Sequence, residues 1–134
     1  MGQAAALNYS AATSQYSFNS GTTPAKIGDT VLLYLTGEGD YNAKPLDATG
    51  TSNTGYIIPA SLSPLPQMNP LPTVTIGGTS ATVSYAGPIV GSILGLLQIN
   101  AVVPTGSTTG TAVPVVVTVG SNSSQAGITL AIHQ

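Results

Sequence analysis

The sequence predicts an all-β domain, a two-sheet β-sandwich of about seven to eight short strands. Three observations predict it. Glycine and proline are dense, 16 and 10 of 134 residues. The runs between them are rich in Val, Ile, Leu and Thr, residues suited to a pleated, half-buried surface. Polarity alternates with a period of two, and no helical period is sustained.

The strands follow in order. Ala4 to Tyr9 reads as a strand, the competing helix over Ala4 to Leu7 being too short to stand alone. Gln15 to Phe18 reads as another, after a turn-forming stretch from Ser10 to Ser14. The clearest strand is Thr30 to Thr36, closed by Gly37. Thr73 to Ile76 and Ala81 to Tyr85 flank Gly77-Gly78, a hairpin signal with a few further residues expected in the loop. Leu94 to Val103 is a strand with a bend expected at Gly95. Val113 to Val119 and Gly127 to Ile132, joined by a Ser/Asn-rich loop, read as an antiparallel hairpin. The chain is expected to be one domain over 1–134. Residues 1–20 form an N-terminal segment suited to being an added or exchanged strand, and 39–72 form a long irregular insertion. Pro64, Pro66, Pro70 and Pro72 keep the end of that insertion extended.

Composition narrows function. Charged residues are 4% of the chain, against roughly 25% in an average soluble domain. All six (Lys26, Asp29, Glu38, Asp40, Lys44 and Asp47) precede Ala48. With two cations and a net charge of −2, there is no electrostatic footprint for nucleic acid or an anionic membrane. The absence of cysteine excludes disulfides, thiolate zinc sites and thiol catalysis. Pro88 to Pro104, the longest uncharged apolar run, is broken by Gly91, Gly95, Gln98 and Asn100, so no membrane insertion is expected. Met1 to Ala4 shows neither a basic nor a long apolar signal region, so export implies a mature fragment or one module of a larger chain.

Several ordered motifs carry a family resemblance. Ala6-Leu7-Asn8 comes first, then Pro24-Ala25-Lys26 with Gly28, leading into Val31 to Gly39. Thr75-Ile76-Gly77-Gly78 precedes Ala81, Val83 and Tyr85-Ala86-Gly87. Gln98-Ile99-Asn100, Val103-Pro104, Pro114 to Gly120 and Ser123 to Ala131 complete the series. Together they resemble a family of C-terminal domains from acidobacterial (Solibacter-type) secreted proteins, itself similar to the IPT/TIG immunoglobulin-like group. The resemblance covers nearly the whole chain and implies an immunoglobulin-like sandwich, extracellular or at the cell surface. Tyr9 to Asn19 and Tyr56 to Pro70 depart from the family's pattern.

Candidate sites are few. His133, the only histidine, lies beside the C-terminus, where a fraying residue suits no Ser-His-Asp triad. Glu38, Asp40 and Asp47 lack the spacing of a calcium loop and the surroundings of a glycosidase pair. Lys26, Glu38 and one of Asn100 or Asn122 are a trio for an internal Lys–Asn cross-link, which requires a buried lysine; the simpler reading is a lysine that reaches solvent. No catalytic group, cofactor or metal is therefore expected. Asn8 and Asn122 head N-x-S patterns, read as accidental. Leu7, Tyr9, Tyr16, Phe18, Tyr41 and Tyr56 are the interaction candidates, with ordinary packing as the competing role.

The function expected is a non-catalytic extracellular structural module, a cell-surface building block or self-associating filament or sheath subunit. Uncharged strands after residue 48 invite edge-to-edge pairing unless their edges are covered, and only Pro114 guards Val113 to Val119. Partners would be further copies or other surface proteins. The alternatives are a carbohydrate-binding (polysaccharide) or adhesin domain and a passive spacer in a larger exported protein.

Overall fold

In the computed structural model, residues 2–37 and 55–134 are described. All regular structure among them is β. Eight strands span four residues or more: β2 (Ala6–Ser10), β3 (Gln15–Phe18), β5 (Thr30–Thr36), β6 (Thr73–Ile76), β7 (Thr79–Pro88), β8 (Leu96–Val102), β9 (Gly110–Val119) and β11 (Ile128–His133). Three two-residue strands, β1 (Gly2–Gln3), β4 (Ala25–Lys26) and β10 (Asn122–Ser123), go beyond the expected number. No helix among the described residues is long and apolar enough to cross a membrane.

The all-β class holds, but the strands do not divide clearly into two sheets. Hydrogen bonding runs unbroken through β1-β11-β9-β6-β7-β8-β5-β2-β3, with β10 added to β9 and β4 to β11, and the sheet curls into a half-barrel. The cause lies in the two longest strands. Thr79 to Ala81 of β7 pair with β6 while Thr82 to Pro88 pair with β8. A register shift between Val83 and Tyr85 sharpens the bend there, as a bulge does. Along β9, Val113 and Pro114 pair with β11 whereas Val115 to Thr118 pair with β6. Pro114 has no N–H to give and stands where the partner changes, its carbonyl accepting from Gly77 N–H at 2.8 Å. Neighbours staggered in this way coil the sheet around one core.

That core collects the alternate residues of each strand. β8 contributes Leu97, Ile99 and Ala101, β9 contributes Val113, Val115 and Val117, and all are buried. Val31 and Leu33 of β5 and Ile76 of β6 meet them inside. The Gly77-Gly78 hairpin is tighter than expected, since Ile76 pairs directly with Thr79. Both glycines have positive φ, 60° and 81°, as a two-residue turn matched to strand twist demands.

The uncharged edge of β11 is closed within the chain. Gly2 and Gln3 pair in parallel with Ile128 and Thr129, while Ala25 and Lys26 pair with Ile132 and His133. Ala131 falls in the gap between them, where the buried Asn19 side chain takes the place of a strand. Its Nδ2 donates to Ala131 O at 2.9 Å, and its Oδ1 accepts from Ala131 N–H at 2.8 Å. The same Nδ2 reaches Asn8 Oδ1 at 2.8 Å, and Asn8 Nδ2 donates to Thr23 O at 2.8 Å. The N-terminal segment thus covers its own chain's last strand, and β2 pairs with its own chain's β5. Segment 66–68 meets the far half of β7 at one point, Met68 N–H donating to Ala86 O at 2.8 Å.

Two stability outcomes follow from these contacts. Asn19→Ala orphans buried backbone groups of Ala131 and should cost about 2–4 kcal/mol in urea unfolding, with faster amide exchange at Ala131. Gly77→Ala places a Cβ 2.5 Å from Thr108 Oγ1 and 2.9 Å from Thr108 N, whereas a Cβ at Gly78 meets open space. Gly77→Ala should therefore lose roughly 1–2 kcal/mol more than Gly78→Ala, whose cost is the left-handed backbone alone.

Candidate functional site

Cross-strand register brings four interaction candidates together. Leu7 lies opposite Phe18, and Tyr9 opposite Tyr16. On the other side of β2, Leu7 faces Leu32 and Tyr9 faces Thr30 of β5. Directly opposed residues in an antiparallel pair share a face, so these side chains form one surface turned away from the core. Leu32 is only 8% exposed yet does not belong to the inner core cluster, which fits a cover of rings on this outer side. The Tyr9 and Tyr16 rings lie 4.9 Å apart, tilted by 42°, within the range of favourable aromatic pairs.

Tyr34 follows Leu32 by two residues and shares its face. Burial raises the Tyr34 phenol above 10.0, and the nearby Tyr16 phenol raises it further. Next to β5 on β8, Gln98 faces Tyr34 and Asn100 faces Leu32, with Gln98 Nε2 donating to Asn100 Oδ1 at 2.8 Å. Tyr85 faces Asn100, has its pKa raised by burial, and donates to Pro88 O at 2.6 Å. The surface is a row of rings and a leucine pair bordered by neutral amides.

β3 ends this sheet. All four of its residues are exposed, Tyr16 by 62% and Phe18 by 80%. Asn19 N–H donates to Ala6 O at 3.0 Å, so the alternation of an antiparallel ladder turns the backbone groups of Ser17 toward β2. Those of Tyr16 and Phe18 point outward, along an edge with no paired strand among the described residues. Thr23 Oγ1 reaches one of them, donating to Phe18 O at 2.5 Å and leaving its second lone pair free.

The other sequence candidates are placed elsewhere or lie outside the described residues. Tyr56 is half-buried at the β7–β8 connection, its carbonyl accepting from Leu94 N–H at 2.8 Å. Tyr41, Glu38, Asp40 and Asp47 lie outside the described residues, and with them the calcium and glycosidase readings. Lys26 is exposed on β4, its backbone N–H held by the Asp29 carboxylate at 2.9 Å, so the buried lysine that an internal cross-link needs is not found there. His133 is an exposed strand residue rather than a frayed end, since its carbonyl accepts from Ile27 N–H at 3.0 Å. Asn8 is 4% exposed, which removes it as a glycan acceptor; Asn122 is exposed on β10. No group of three or more potential metal ligands occurs among the described residues.

A concavity of about 490 Å³ opens between β5 and β9. Leu35, Val117, Val119 and Ile128 line it, with Gln3 and Asn122 also present. Tyr34 is the one titratable side chain among its described lining residues, which supply no acid–base pair. Sequence reading missed the Asn8–Asn19 network, because an asparagine that completes a distant strand looks the same in sequence as one in a turn.

Comparison with family models, with curated proteins and with solved structures finds no match to this chain.

The raised Tyr34 pKa has a consequence for pH dependence. A phenol held neutral by folding leaves stability unchanged below the unfolded value of 10.0, and stability falls as pH rises from there through the folded value. In urea titrations across this alkaline range, Tyr34→Phe should flatten the loss of stability. Tyr16→Phe should bring the Tyr34 phenol partway back toward 10.0 in ultraviolet titration.

Proposed function

We propose that the chain is a non-catalytic, extracellular structural module, a cell-surface building block that associates with further copies of itself. In this reading it is immunoglobulin-like and related to the IPT/TIG group through the secreted-protein family it resembles. The supporting observation is the contrast between its edges. β11 is bordered by two short strands of the same chain and the far half of β7 is met by segment 66–68, whereas β3 is left exposed with Phe18 at its end. Soluble proteins usually blunt such an edge with lysine, proline or a bulge, and Gln15 to Phe18 contains none of these. Among the described residues, Lys26 and Asp29 are the only Lys, Arg, Asp or Glu, so charge repulsion between copies is weak.

A second reading has its own support. The Gln98–Asn100 amides beside Tyr34 and Leu32 combine ring faces with neutral hydrogen-bonding groups, a chemistry suited to a polysaccharide. On that reading the same face is an adhesin surface.

Size-exclusion chromatography and negative-stain microscopy at increasing concentration test the first reading. Growth in apparent mass or ordered assemblies is expected. A strict monomer at high concentration refutes it, and binding on a glycan array that disappears with Tyr16→Ala would favour the second.

A further inference from the structure

The edge of β3, unpaired among the described residues, has a geometry that selects its partner. Resting on the reading of self-association, we propose that β3 pairs antiparallel with β3 of a second copy across a two-fold axis at Ser17, opposing Tyr16 of one copy to Phe18 of the other.

Parity selects this register. A two-fold antiparallel pairing that keeps the aromatic face continuous must be centred on a residue, because opposed residues share a face. Centring on Ser17 opposes Tyr16 to Phe18 in both halves of the contact. These are the two residues whose backbone N–H and C=O point away from β2, so the partial charges match: each donor meets an acceptor related by symmetry. The Phe18 carbonyl takes part through the lone pair that Thr23 leaves free. Centring on Tyr16 instead would bring Phe18 against Ser14, whose φ of 54° is not that of a strand residue. Ser17-centred pairing uses every outward group of the strand.

The occupant is a second copy because the edge is complementary to itself in backbone polarity, in its two rings and in its lack of charge. The area sets the strength. At the 150–250 Å² that an aromatic side chain offers, the exposed parts of Tyr16 and Phe18 amount to on the order of 300 Å² per copy. A stable interface needs roughly 800 Å² per partner. The pairing is therefore weak and depends on concentration, which fits modules held close together on a surface rather than a free dimer in dilute solution. Being isologous, it closes on itself, so a filament needs a further contact elsewhere.

Ser17→Cys tests the register. Opposed residues between hydrogen-bonded pairs have Cα atoms ~4.5 Å apart, inside the roughly 4.4–6.8 Å span of disulfides. The 134-residue chain has no other cysteine, so its mild oxidation should yield a covalent dimer. Ser121→Cys, on an exposed turn outside β3, should cross-link at least ten-fold more slowly. In sedimentation velocity, Phe18→Lys should weaken association at least ten-fold with an unchanged circular dichroism spectrum, Phe18 being 80% exposed. Tyr16→Pro removes an outward N–H without touching the β2–β3 ladder, and should act in the same direction. Association that survives Phe18→Lys, with Ser17→Cys no faster than Ser121→Cys, overturns the β3 pairing but leaves self-association standing. A monomer at every concentration overturns both.

Discussion

Asn19 gives both ends of its carboxamide to the backbone of Ala131, and much of the architecture is arranged around that contact. β11 needs partners along its outer side, and the chain supplies them in pieces, two residues at a time, with Asn19 between them. Neither β1 nor β4 is long enough to form a stable strand alone. Joined through the asparagine they act as one, and the same side chain ties the turn after β3 to Asn8. The two ends of the chain are thereby held together. A buried amide is costly when its hydrogen bonds are unmet, so a satisfied one enforces a particular arrangement as well as stabilising it.

This device answers a difficulty created by composition. A chain with so few charges cannot protect its strand edges by electrostatic repulsion. It closes them with its own backbone and with neutral side chains: Gly2 and Gln3 on β11, Met68 against Ala86, and Asn19 in the remaining gap. Against that background the exposure of β3 is distinctive. The aromatic face beside it continues over Tyr9, Leu32 and Tyr34, so the open edge and the ring-bearing surface form a single feature.

Much of the strand map was legible. Thr30–Thr36, Thr73–Ile76 and Gln15–Phe18 are read from sequence with their observed limits, because β-branched runs bounded by glycine or polar turns leave little choice of conformation. Four of the six interaction candidates could also be found there, as aromatic or large apolar residues alternating in two adjoining strands. Their convergence could not, since it depends on the register that puts Leu7 against Phe18. Tyr56, chemically equivalent in sequence, goes to the opposite end of β8 because its backbone pairs near Leu94.

The all-β class, the scarcity of charge and the location of most strands are readable from residue order alone, for they are set by local conformational preference and by composition. That the strands follow one curled hydrogen-bonded path emerges with long-range packing, because β7 and β9 change partners along their length. Which edges are closed is settled at the same level. Edge closure depends on residues far apart in the chain, Gly2 with Ile128 and Asn19 with Ala131, and no local pattern records a contact of that range.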